Sequence, residues 1–176
     1  MPLLEPSQES YRQILRLRTV RRYLPKEIAG SELEAILQAA RWTGSSKNSQ
    51  PWAFVVVRDD QQREALATAG RFSTPIAAAP LVIAIVRLPG GHDFDMGRAA
   101  QNMMLAAQAL GIGSCPVTLH EEDRARDVLG VPSDHGCRWA VAFGYADEEG
   151  ERQLRRRRRG GRRPLDDLVV HEMFRE

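Results

Sequence analysis

The stretch that decides the fold reads Ala39-Ala40-Arg41-Trp42-Thr43-Gly44-Ser45-Ser46-Lys47-Asn48-Ser49-Gln50-Pro51-Trp52-Ala53-Phe54-Val55-Val56-Val57. Its opening alanines close an apolar helical pattern. Its middle, Gly44 to Pro51, is a polar loop of short hydroxyl and amide side chains. Its end, Trp52 to Val57, has the length and β-branching of a buried strand. A helix, a polar loop and a buried strand in direct succession belong to a packed domain that mixes both kinds of element.

The same alternation continues on either side. Upstream, Ser7 can cap a helix in which Tyr11, Ile14, Leu15 and Arg18 share a face, with Arg18 at its end. After Pro25, Ser31 and Glu34 form a capping-box pattern for a second helix, whose buried face is Leu33, Ile36, Leu37 and Ala40. Downstream, Asp60 to Ala69 reads as a short surface helix and Leu81 to Val86 as a second buried strand. Asp95 opens a helix carrying Met96, Ala100, Met103, Ala107 and Leu110, which Gly111-Ile112-Gly113 ends. Ser114 to Leu119 is extended, Asp123 to Leu129 is a short helix stopped by Gly130 and Pro132, and Arg138 to Tyr145 is a further strand. Beyond Ala146 the chain turns polar and arginine-rich. The interleaving predicts a layered α/β or α+β domain and leaves the strand order open.

Composition sets the bounds. The chain has 176 residues, enough for one domain with a proper core and too few for two ordinary ones. Its 43% hydrophobic and 27% charged residues are those of a folded globular protein, and a net charge of +2 names no partner. Cys115 and Cys137 are far apart, and His92, His120, His135 and His171 are scattered, so neither a disulfide framework nor a zinc site is expected. The longest apolar stretch, Pro75 to Val86, is too short to span a bilayer, and no charged-then-apolar leader opens the chain. A cytoplasmic protein is the simplest expectation.

Four stretches could carry chemistry. Arg18-Thr19-Val20-Arg21-Arg22 offers guanidinium forks around a hydroxyl, which suits a phosphate; a solvated basic turn has the same composition. Ser45-Ser46-Lys47-Asn48-Ser49-Gln50 can bind the polar edge of a heterocycle or simply make a turn. Gly111 to Thr118 permits close backbone approach to a flat ligand, but it is no dinucleotide fingerprint, since no helix follows in the required place. Within it, Cys115 reads as a buried thiol rather than a nucleophile. Finally, Arg155 to Arg159 with Arg162 and Arg163 could hold an acidic partner. No aromatic platform accompanies them, so a flexible excursion over residues 150–163 is the expectation and nucleic acid is not the expected partner.

Taken together, these stretches resemble the FMN-dependent nitroreductases. Arg18-Thr19-Val20-Arg21-Arg22-Tyr23 is similar to that family's basic-Ser/Thr-x-Arg-x-aromatic opening. The Ala39–Val57 stretch is similar to its signature Ala-Ala-…-Pro-Ser-x-x-Asn-x-Gln-Pro-Trp-x-Phe. Ala99 to Ala107 with Leu110 to Ser114 resembles its central helix, and Arg162 to Val169 its C-terminal segment. Gly44 departs from the pattern where proline is usual, and Leu17 where a further basic residue is common.

The resemblance implies one α+β domain over residues 1–176, a mixed or antiparallel sheet flanked by helices, and an intertwined homodimer with residues 164–176 packing on the partner. It implies FMN, with NADPH or NADH as donor and a small acceptor such as a nitroaromatic or quinone. Arg18 and Thr19 would contact the phosphate and Arg21 the N1/O2 edge of the flavin. Ser45, Ser46 and Asn48 would come from the other subunit, Pro116, Val117 and Thr118 would line the ring, and Arg162 or Arg163 would return to the phosphate. No acid–base pair is needed, because the cofactor carries the chemistry. Two alternatives stand beside this reading: a relative with another flavin role (dehydrogenase, dehalogenase or flavin-degrading enzyme), and a basic nucleic-acid-binding protein.

Overall fold

The computed structural model describes residues 7–156 and 161–174. Four strands, β1 (Trp52–Val57), β2 (Leu81–Arg87), β3 (Gly113–Thr118) and β4 (Gly136–Gly144), form one sheet in the order β1-β2-β4-β3. Every neighbouring pair is antiparallel, so the sheet expected as mixed or antiparallel is antiparallel throughout.

Strand side chains alternate between the two faces, and the core divides accordingly. Leu81, Ile83, Ile85, Val141 and Phe143 face one way, packing with Ile36 and Ala40 of α2 (Gly30–Arg41) and Met96, Met103 and Ala107 of α5 (Asp93–Ala109). Val82, Ala84, Val86, Ala140 and Ala142 face the other way. They meet Leu66 of α3 (Asp60–Ala67), Ile76 of α4 (Thr74–Ala78) and Ala125 of α6 (Glu122–Leu129). Burying each of the larger aliphatic side chains contributes about 1.5–3 kcal/mol relative to exposure, and both faces carry several. The domain is therefore a three-layer α–β–α stack with β2 and β4 at its centre.

Several local expectations shift. The strand β1 was expected to be buried, but it is an outer strand: only Val57 is buried, while Ala53 and Val56 are exposed. The helix-capping pair is Ala29 and Glu32 rather than Ser31 and Glu34, because the Glu32 carboxylate accepts the N–H of Ala29 at 2.8 Å. Within the apolar Pro75–Val86 stretch, Pro75 lies in the first turn of the short helix α4, and Pro80 leads into β2. Ser7 does cap α1 (Gln8–Arg16), accepting from the N–H of Ser10. That helix ends before Arg18, so Arg18 is not on its face, and Tyr11, Ile14 and Leu15 are more than half exposed. The excursion expected over 150–163 begins as a helix, α7 (Glu148–Arg156), started by Asp147, whose carboxylate accepts the N–H of Gly150. The side chains of the Arg155–Arg159 tract lie outside the described residues.

Composition did not reveal two interior polar groups. The guanidinium of Arg63 is buried and donates to the carbonyls of Ala77 (3.1 Å) and Ala79, tying α3 to the end of α4. Cys137 is fully buried at the start of β4, and desolvation, with Glu122 adding to it, pushes its thiol up to about 11. The unfolded thiol ionises near 8.5. Above that pH the unfolded chain gives up this proton before the folded one does, so stability falls as pH rises toward 11. Urea denaturation at pH 8 and pH 10.5 should show a larger loss for the wild type than for Cys137→Ala. Equal losses would mean that the folded thiol is not shifted.

Candidate functional site

Arg18 to Tyr23 leave α1 as an extended segment laid along β3. Thr19 makes an isolated parallel bridge to Ser114, and the N–H of Val20 donates to the Ser114 carbonyl at 2.8 Å. The segment is fixed at two further points. Tyr23 packs against Gly144, where an added Cβ would meet its ring at 2.7 Å, and the Tyr23 hydroxyl donates to the Val20 carbonyl at 2.7 Å. Burial raises the Tyr23 phenol far above its ordinary pKa, so it serves as a neutral donor. On the other side, the buried Glu151 carboxylate accepts the N–H groups of Arg21 and Arg22, the latter at 2.9 Å.

The result is a pocket of about 320 Å³ lined by Leu17, Arg18, Thr19, Arg21, Glu151, Leu154 and Arg162. Four of the residues expected at a phosphate and ring edge, Arg18, Thr19, Arg21 and Arg162, thus converge although Arg162 is far away in sequence. Of the two C-terminal candidates, Arg162 lines the pocket, whereas Arg163 donates to the Asp167 carbonyl at 2.7 Å. Among the described residues, no carboxylate lies within ion-pair distance of Arg18, Arg21 or Arg162, so their charges are available to an anion.

Along β3, Pro116 is exposed, Thr118 half-buried and Val117 buried. Ser114, Pro116 and Thr118 share the face that carries Trp139, which stands directly opposite Thr118. On that face the Ser114 hydroxyl and the Trp139 indole nitrogen are both buried, with no hydrogen-bond partner among the described residues. The donor set fits a phosphate-bearing planar ligand: guanidinium groups and a hydroxyl lie at the Ser114 end of the strand. The strand itself rises by roughly 13 Å from Ser114 to Thr118 at ordinary β spacing.

Ser45, Ser46 and Asn48 do not reach this pocket. They precede β1, and β1 and β3 are the two outer strands, about 14 Å apart at ordinary interstrand spacing. Their loop is nonetheless a shaped one. Lys47, Asn48 and Gln50 all adopt positive φ (52°, 53° and 49°), and the Ser45 hydroxyl accepts the Gln50 N–H at 2.9 Å. Three non-glycine residues held there store backbone strain, and such strain collects where function over-determines geometry. Arg98 braces the loop by donating to the Gly44 carbonyl at 2.6 Å, and its guanidinium would stand 3.0 Å from a Cβ at position 44. The arginine head is the mobile end of a half-exposed side chain, so this contact alone does not demand glycine at position 44.

Glu151 and Leu154 were missed by the reading of the sequence. The available signal was their spacing of three, which puts both on one face of a helix after Ala146, but the arginine-rich surroundings disguised that helix.

Comparison with known proteins agrees with this geometry. The family model for the nitroreductase family matches residues 14–88 and 76–145. A protein of Archaeoglobus fulgidus named as an NADH dehydrogenase/NAD(P)H nitroreductase is 32% identical, with 81% of this chain and 88% of that protein covered. An NADH dehydrogenase of Thermus thermophilus is 30% identical over 77% of this chain and 86% of its own. Among solved structures, an FMN-dependent nitroreductase of Clostridium difficile superposes with a TM-score of 0.77 at 26% identity, over 92% of this chain and 98% of the other. The chain belongs to the nitroreductase family.

Proposed function

We propose that this protein is an FMN-dependent NAD(P)H oxidoreductase that works as a homodimer with a flavin site at each subunit interface. The observation that carries the reading is the convergence of Arg18, Thr19, Arg21 and Arg162 on one pocket at the edge of β3 where the Arg18–Tyr23 segment pairs with Ser114. When bound, FMN supplies the hydride transfer, from NADH or NADPH to a small acceptor such as a nitroaromatic or quinone in a ping-pong cycle. Arg18, Thr19 and Arg162 hold the phosphate through charge-assisted hydrogen bonds. Arg21 sits at the N1/O2 edge of the ring, where its fixed charge favours the reduced, anionic form. Pro116, Val117 and Thr118 support the ring, and Ser45, Ser46 and Asn48 complete the site from the partner.

Two features support the second copy. The loop with strained Asn48 lies at the opposite edge of the sheet from the pocket, so one subunit holds only part of the expected set. A single chain also leaves Tyr11, Ile14 and Leu15 of α1, and Leu165, Leu168, Met173 and Phe174 of the C-terminal segment, more than half exposed. Apolar surface on this scale marks an interface, and residues 164–176 pack on the partner in this reading. Among the described residues no helix is long and apolar enough to cross a membrane.

The test is direct. The purified protein should be a yellow dimer that releases roughly one FMN per subunit on denaturation, and NADH or NADPH should bleach it under anaerobic conditions. A colourless monomer that takes up no FMN in excess would overturn the reading.

A further inference from the structure

Glu151 is only 4% exposed, and it lines the pocket where the proposed anion binds. Burying a carboxylate costs several kcal/mol of hydration, and a negative charge beside a phosphate site opposes the ligand. A carboxylate is retained there at a cost that something must offset. Its hydrogen bonds show what does so: one oxygen, Oε1, takes the consecutive N–H groups of Arg21 and Arg22.

The contact closes a ring between two parts of the chain. Asp147 donates its N–H to the Arg22 carbonyl at 3.0 Å and accepts the N–H of Glu151 at 2.9 Å, while Arg22 donates back to Glu151. Val20 meanwhile is held on β3. The main chain at Arg21 is thus clamped between the sheet edge and α7. We propose that Glu151 is a positioning residue for the flavin site, fixing the backbone at Arg21 and through it the place of the Arg21 guanidinium in the pocket. The acceptor geometry, rather than the negative charge, does this work, and the effect passes through Arg21.

This inference rests on the FMN reading, and its test separates the two. Apoprotein is titrated with FMN, following flavin fluorescence, for the wild type, Glu151→Gln, Glu151→Asp, Arg21→Ala and the Glu151→Asp/Arg21→Ala double variant, with thermal melting as the check on folding. Gln keeps the reach and loses the charge; Asp keeps the charge and withdraws the acceptor. We expect Gln to bind FMN within about threefold of wild type. Asp should bind about tenfold more weakly, the scale of one lost charge-assisted hydrogen bond. In the Arg21→Ala background the Asp change should cost nothing further. The reverse order, with Asp intact and Gln weakened, or equal losses in both backgrounds, would overturn the positioning role. Wild-type apoprotein that ignores FMN would instead overturn the functional reading beneath it.

Discussion

Replacing Arg21 by alanine is expected to weaken FMN binding by ten- to a hundredfold and to lower the reduction potential of the bound flavin. Arg21 lines the pocket, and its charge has no carboxylate within ion-pair distance among the described residues. Its main chain is held by Glu151 on one side, and neighbouring Val20 is held by β3 on the other. The main chain that carries the guanidinium is therefore fixed before any ligand arrives, and a charge held near its place contributes most to whichever state carries the most opposite charge. A hydrogen bond to a charged group contributes about 1.5–3 kcal/mol, which sets the expected loss in affinity. If half or more of that favours the reduced form, the potential falls by roughly 30 mV for a two-electron couple. Fluorescence titration of the apoprotein gives the first quantity, and equilibration with a reference dye under anaerobic conditions gives the second. Arg18→Ala makes the comparison informative: in the proposed arrangement it weakens FMN but leaves the potential nearly unchanged, because it acts at the phosphate. An unchanged potential in Arg21→Ala would place that residue away from the ring.

The contrast between Arg21 and Glu151 shows which parts of the site were legible in the sequence. Arg18, Thr19 and Arg21 are adjacent along the chain, so their residue types could be read as a group. Arg162 could be suspected only through resemblance, and nothing local separated it from Arg163. The structure separates them by where each side chain ends: one in the pocket, the other on the Asp167 carbonyl. The spacing of Glu151 and Leu154 could place them on one helix face, but the role of Glu151 depends on backbone N–H groups 129 and 130 positions away, which leave no local signal. Ser45, Ser46 and Asn48 are a different case. Their composition was legible, but strand order puts them at the far edge of the sheet, and strand order has no local signal.

The fold divides along the same physical line. The strands β2 and β4 were read correctly because a central strand, covered on both faces, must be a continuous apolar run. The strand β1 has an equally apolar sequence, yet it lies at an edge. Sequence hydrophobicity records that a surface is eventually covered, not whether the cover belongs to the same chain, and a covering second subunit would reconcile β1 and the exposed stripe of α1 with their composition. The helix α7 failed in the opposite sense: its surface is so highly charged that Glu151 and Leu154, which line the pocket, did not stand out.

Gly113→Ala should couple fold and site in a single measurement. Gly113 is the first residue of β3, opposite Gly144, and a Cβ built on it would stand 2.7 Å from the Cβ of Val20 and 2.8 Å from each of its γ carbons. Rotating the Val20 side chain cannot relieve this, because the nearest atom is the Cβ itself. The backbone of the Arg18–Tyr23 segment must move, against the Val20–Ser114 hydrogen bond and the Tyr23 packing on Gly144. Overpacking of this kind costs about 1–3 kcal/mol. For a chain of this size each kcal/mol lowers Tm by roughly 2–4 °C, so the apoprotein should melt several degrees lower than wild type. Because the displaced segment carries Arg18, Thr19 and Arg21, FMN affinity should fall as well. That loss should persist at temperatures well below the melting transition, where global unfolding contributes nothing. A lower Tm with normal FMN affinity would show that the segment returns to its place when the ligand binds. An unchanged Tm would show that the segment is free to slide along β3, and that the clamp between the sheet edge and Glu151 does not fix it.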